Sequence, residues 1–375
     1  MSSAKQPMRI HKKKNPAGNE RGVAILVAIG VVAVLMTAGL ALNQKIRNAV
    51  TESAQVRDKL ILTEMAVSGI HAAMIMLIND RRENDTDTLQ EDWALPEKVS
   101  ELVEMAAFET GSVEVEIVDE RSKIQVNALV QFPEGRQYNA SQRFLWERLL
   151  ERVFSLFELL PESFETTSES NPNMIIDSLK DWMDDGDDEA ITGLNGAESD
   201  YYQSLDPPYS CKNGPIDHLG EIALVQGVTP ELFHGAGGAG GLSSAVTVHG
   251  ATAVGDGQFT FDGKINISTA EEMVLSALLP AEHTDLAEAM VGYRTEKADE
   301  IFINNITSPR WYSQVPGLGD VTIDENLITV SSDLFRIVST AKRNERSLTV
   351  QTVVQREKEK ESGRWTCKTL IWTIG

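Results

Sequence analysis

Residues Val23–Leu42 read VAILVAIGVVAVLMTAGLAL, twenty positions without a charge. Wound as an α-helix rising about 1.5 Å per residue, they reach roughly 30 Å, the thickness of one bilayer core. Lys5, Arg9, Lys12, Lys13, Lys14 and Arg21 crowd the residues ahead of this run, whereas the whole chain of 375 residues carries a formal charge of -22. A basic flank before an apolar run sets the orientation of a membrane segment. The acidic remainder would repel a phosphate backbone, which excludes nucleic acid as a partner class.

The boundary Glu20-Arg21-Gly22 lies before the apolar run. An ordinary secretory signal is cut behind a shorter apolar core. A cut between Gly22 and Val23 would instead leave the hydrophobic segment on the mature protein. The pattern continues past the run, because Asn43 to Asn79 contains no proline, and Ile46, Val50, Leu60, Val67, Ile70, Met74 and Leu77 form a broken helical stripe. One long helix over residues 23–79 is therefore expected, with its transmembrane part at 23–42.

Further along, Asn84–Thr88 (NDTDT) is a polar break. Ser112–Asp119 (SVEVEIVD) alternates apolar and acidic residues, and Lys123–Leu129 (KIQVNAL) follows a short turn, which predicts a β-hairpin. Leu334–Thr340, Ser347–Gln355 and Trp365–Ile374 are again β-branched runs of period two, with the charged run Arg356–Lys360 expected as a solvated hairpin tip. Between the two strand groups, Ser141–Leu160 and Met174–Met183 have helical periodicity. The predicted class is α+β: a long N-terminal helix packed on an antiparallel sheet, with a large, mainly helical domain inserted between strands. The expected divisions are a leader (1–22), the helix (23–79), a first part of the sheet core (80–130), the insert (131–320) and the final strands (321–375).

A short basic leader, a glycine at the cut, an apolar helix and an amphipathic continuation resemble the type IV pilin and pseudopilin class. KIQVNAL, DWMDDGDDE at Asp181–Glu189, AESDYYQSLDPPY at Ala197–Tyr209, LGEIALVQGVTPELF at Leu219–Phe233, KINISTAEEMVLSALLP at Lys264–Pro280 and LFRIVSTAK at Leu334–Lys342 narrow the similarity to the K-type minor pseudopilins of type II secretion. In the general class the fifth mature residue is usually Glu; here, counting from Val23, it is Val27. Lacking that acid is a peculiarity of the K type. An unpaired charge inside lipid costs several kcal/mol, so a subunit without the acid suits the first place in a stack rather than a place above another subunit.

Eight carboxylates fall between Asp181 and Asp200, and such a loop folded on itself repels itself unless it is solvated or holds a cation. Six to eight oxygen donors at flexible angles suit Ca²⁺ better than Mg²⁺. The spacing is not an EF-hand, since Gly186 at loop position six would put Met183 and Thr192 where ligands are required. Composition alone reads as a solvated acidic surface. The resemblance, whose family binds calcium in the inserted domain, points to a structural Ca²⁺ drawn from Asp181, Asp184, Asp187, Asp188, Glu198 and Asp200.

Other patterns carry less chemistry. Leu219–Phe233 looks like a helix-hairpin-helix turning at Gly227, but without flanking basic residues it is expected to pack rather than grip phosphate. Gly235–Gly240 (GAGGAG) follows a helical segment and reads as a connector, not a dinucleotide loop. His71, His218, His234, His249 and His283 are scattered, and Cys211 and Cys367 match no metal or redox spacing, their pairing left open.

By resemblance, the expected function is that of a minor pseudopilin at the pseudopilus tip, not an enzyme. Expected partners are the I-type and J-type minor pseudopilins, prepilin peptidase and the bacterial inner membrane, with the C-terminal domain in the periplasm and contacts to secreted cargo or the outer-membrane channel. The rivals are a membrane-anchored periplasmic metal-dependent hydrolase and a calcium-binding receptor.

Overall fold

The computed structural model describes residues 20–104, 108, 110–158, 171–186, 192–193 and 195–375. It contains two compact units, one ending at Ile61 and one starting at Leu62. A single helix, α1 (Glu20–Glu83), belongs to both. In the first unit it is alone, and the apolar side chains from Val23 to Leu42 are exposed throughout.

After the helix α2 (Pro96–Glu104), the second unit is built on a four-stranded antiparallel sheet of β1 (Ser112–Asp119), β2 (Leu334–Arg343), β3 (Arg346–Lys358) and β4 (Trp365–Ile374), in that spatial order. Period-two alternation places Val113, Val115 and Ile117 of β1 on one face with Ile337, Ser339 and Ala341 of β2 and Val350 and Leu348 of β3. Leu62, Ala66, Ile70, Ala73 and Leu77 of α1 are buried, and their spacing of three and four makes one helical stripe. The helix comes nearest the sheet at Gly69. A β-carbon there would lie 2.4 Å from Ser339 Oγ and 2.8 Å from both Val113 Cγ1 and Val115 Cγ2, so only glycine admits this separation. Of the apolar positions expected to form the stripe, Ile70 and Leu77 are buried, while Ile46, Val50 and Leu60 are exposed.

The expected hairpin between Ser112–Asp119 and Lys123–Leu129 does not form. Every residue of β1 pairs with β2, from Ser112 opposite Lys342 to Asp119 opposite Phe335. Asp119 caps a 3₁₀ turn at Glu120–Ser122 by accepting from the Arg121 amide at 2.8 Å, which steers the chain off the sheet. Ile124 and Gln125 then run parallel to Val246 and Thr247. The physical reason lies in burial: Ile124 to Val130 are buried at every position, so the segment has no wet face to present as an outer strand.

Residues 120–333, between β1 and β2, form the insert. Its helices are α3 (Ala140–Glu158), α4 (Pro172–Met183), α5 (Ser199–Gln203), α6 (Pro230–His234), α7 (Leu242–Ala245), α8 (Glu272–Leu278) and α9 (Ala287–Thr295). Leu145, Trp146, Leu149, Leu150, Ile175, Leu179, Leu275 and Leu278 are core residues within 2% of full burial. In the expected helix-hairpin-helix, Leu219–Leu224 is 3₁₀ rather than α, Gly227 takes φ +85°, and Thr229 caps α6 by accepting from the Leu232 amide at 3.2 Å. The glycine run is a tight antiparallel hairpin, Gly235–Ala236 against Ala239–Gly240. No disulfide joins Cys211 and Cys367.

Arg356 overturns the solvated-tip reading of its charged run. Glu357–Lys360 are exposed, but Arg356 is 2% exposed. Its guanidinium donates to the Leu77 carbonyl at 2.8 Å, to Asp80 Oδ2 at 3.0 Å, to the Ser332 carbonyl at 2.8 Å and to Asp87, and lies over the Phe335 ring. It thereby ties the end of α1, the following turn and the return from the insert to β3.

Candidate metal centre and membrane segment

Asn171 caps α4 by accepting from the Met174 amide at 2.8 Å, with Pro172 at the first helical position. From that start, Asp177 and Asp181 fall four apart on one face of the helix, and Asp184 follows directly on its C-terminal end. Asp177 is held apart, accepting from the Tyr138 hydroxyl at 2.7 Å. Burial and that carboxylate together push the Tyr138 phenol upward.

Asp181 is wholly buried and accepts from the Thr192 amide through both oxygens at 3.1 Å. Oxygens of Asp181, Asp184 and Glu198 lie within 4.8 Å of one another. The strand of chain that closes the site approaches so tightly that a β-carbon on Gly196 would sit 1.9 Å from Asp181 Oδ2. Lys180 bonds Asp184 and the Thr192 hydroxyl, the latter at 2.9 Å. Burial raises the Asp181 carboxyl, and the Asp184 charge adds to that rise. The three carboxylates form an all-oxygen donor set of the kind a hard cation takes.

Of the six residues expected as ligands, the fold brings together Asp181, Asp184 and Glu198. Asp200 is exposed on α5, and Asp187 and Asp188 lie outside the described residues. Sequence reasoning missed the part played by Thr192 and Gly196. A carboxylate facing a glycine fifteen residues on leaves no trace in composition.

At the other end of the chain, Gly22 and Val23 lie inside the first turn of α1. The helix has a mean hydropathy of 2.7 over its most apolar window and none of that window is buried, which suits a single-pass membrane anchor. Val27, where the general class carries an acid, is 60% exposed on this apolar surface.

Residues 122–236 match the family model described as type II secretion system (T2SS), protein K. The chain is 25% identical over 218 residues to the type II secretion system protein K of Klebsiella pneumoniae. It is 24% identical over 216 residues to the putative type II secretion system protein K of Escherichia coli K12. Each match covers 57% of this chain and 60% of the relative, so the likeness spans about three fifths of those proteins. The fold resembles a chain in the crystal structure of the GspK-GspI-GspJ complex from the enterotoxigenic Escherichia coli type 2 secretion system, with a TM-score of 0.58, 18% identity, and coverage of 86% of this chain and 99% of that one.

Proposed function

We infer that this chain, which belongs to the protein K family of type II secretion systems, works as a minor pseudopilin, joining a pseudopilus by its apolar helix and presenting its inserted domain at the tip. The observation that carries the reading is the uncharged, exposed run Val23–Leu42 of α1, a helix whose later part Gly69 lets lie against the sheet. A receptor or enzyme needs an anchor but has no use for one that is also the core helix of its soluble fold.

In this reading prepilin peptidase cuts between Gly22 and Val23, and the helix holds the mature protein in the inner membrane with its sheet and insert in the periplasm. The partners are I-type and J-type minor pseudopilins, a reading supported by the GspI and GspJ named with the structural neighbour. Contacts to secreted cargo or to the outer-membrane channel fall to the exposed insert. Asp181, Asp184 and Glu198 would hold a structural Ca²⁺, which supplies charge compensation that keeps residues 192–198 closed over α4. The hydrolase alternative has less support, because among the described residues the group offers carboxylates and a lysine and threonine already bonded to each other.

The deciding experiment is N-terminal sequencing of the protein from cells that make prepilin peptidase. A mature end at Val23 is expected. Retention of Met1, or loss of the whole apolar run, would reject the assignment.

A further inference from the structure

A second group of carboxylates lies away from the candidate calcium site, where α1 ends. Oxygens of Asp80, Asp87 and Glu91 lie within 4.8 Å of one another. The cation among them is Arg356, whose Nη1 and Nη2 donate to Asp80, Asp87 and the carbonyls of Leu77 and Ser332. Glu91 receives none of them. It accepts instead from the Trp93 indole at 2.8 Å and from the Thr88 hydroxyl at 3.2 Å, both neutral donors. The C-terminal carbonyls of α1 add negative potential at the same place. Two carboxylates share one guanidinium, and the third meets them with no cation of its own among the described residues.

We propose that Glu91 is the proton-carrying member of a latch, holding a proton at neutral pH and so able to lie beside Asp80 and Asp87, the two carboxylates that share Arg356. The segment it secures joins α1 to the insert. Asp87 donates its amide to the Val330 carbonyl at 2.8 Å and accepts through its own carbonyl from Asn266 Nδ2 at 2.8 Å. Gln90 Nε2 donates to the carbonyls of Arg294 at 2.9 Å and Asn304 at 3.1 Å. A cavity of about 460 Å³, lined by Ile75, Met76, Asp80, Glu91, Trp93 and Leu102, gives the proton a way in from solvent.

The groups facing Glu91 are mostly acidic: Asp80 and Glu83 from α1, Asp87 and Asp92 from its own segment, and Arg356 from β3. Asp119, at the end of β1, acts on Asp87. Burial, then Asp80, pushes Glu91 up to about 8. Burial also lifts Asp87 to about 7 against the pull of Arg356. In the unfolded chain both groups ionise near ordinary carboxylate values. Between those values and the raised ones the folded protein binds a proton that the unfolded chain lacks. Stability therefore falls as pH rises through neutrality and levels off above about 8.

The test is thermal unfolding of the full chain in detergent between pH 6 and 9, for wild type, Glu91→Gln and Asp92→Asn. Glutamine keeps an oxygen to accept from Trp93 and needs no proton. Wild type and Asp92→Asn are expected to share a melting temperature that drops with pH. In Glu91→Gln the unfolding constant should change about tenfold less per pH unit, one proton fewer. Infrared spectra of the wild type should show a protonated carboxyl near neutral pH. An unchanged pH slope in Glu91→Gln overturns the proposal, as does the absence of that carboxyl signal, which can be read even if the variant fails to fold.

Discussion

Glycine 196 is a place where one missing methyl group shapes a site. A β-carbon there would fall 1.9 Å from Asp181 Oδ2 and 2.9 Å from the Thr192 carbonyl, so the backbone must withdraw if one is added. Gly196→Ala is expected to destabilise the protein by about 1–3 kcal/mol, the usual cost of overpacking, and to weaken calcium binding because the closing segment can no longer reach Asp181. Isothermal titration with calcium, beside a thermal melt, reads both effects, and unchanged calcium affinity would argue against the site. The acidic composition of Asp181–Asp200 was legible in the sequence. Which carboxylates converge was not, since Asp200 looks equivalent to Glu198 until one is seen buried and the other exposed. Arg356 shows the same limit: it heads a run of charges that is otherwise exposed, and only the third dimension places Asp80 and Asp87 around it.

Among elements, the long helix and the late strands could be read from periodicity because their partners are neighbours in sequence or their faces are cleanly two-sided. β1 was recognisable as a strand for the same reason, but its partner was not. A strand with one apolar face states that it pairs, not with which segment, and here β2 lies beyond the entire insert. The contact of α1 with this sheet depends on Gly69, since a side chain there meets Ser339, Val113 and Val115 at once, two of them β-branched and stiff. Gly69→Val should push the helix off the sheet and cost about 1–3 kcal/mol or more, beyond any gain in helix propensity. Chemical denaturation measures it. A variant as stable as wild type would mean that the helix does not lie this close in solution.

At the scale of the whole molecule, the insert and the sheet are one folding problem. β1 cannot meet β2 until residues 120–333 bring their ends together, and an ordered insert does so at far smaller entropic cost than a disordered loop. On the calcium reading, ordering of the insert depends in turn on its acidic centre, where oxygens of Asp181, Asp184 and Glu198 lie within 4.8 Å of one another. The melting transition of the full chain should therefore shift as a unit when calcium is removed. With free calcium at a hundred times its dissociation constant, binding adds about 2.7 kcal/mol to stability, and chelation should remove that amount. Calorimetry with and without a chelator decides between two outcomes. A single transition displaced to lower temperature, and restored by calcium, ties the metal to the sheet through the insert. A transition that does not move on chelation would leave Lys180, bonded to Asp184, as the counter-charge of the group and remove calcium from the account of this protein.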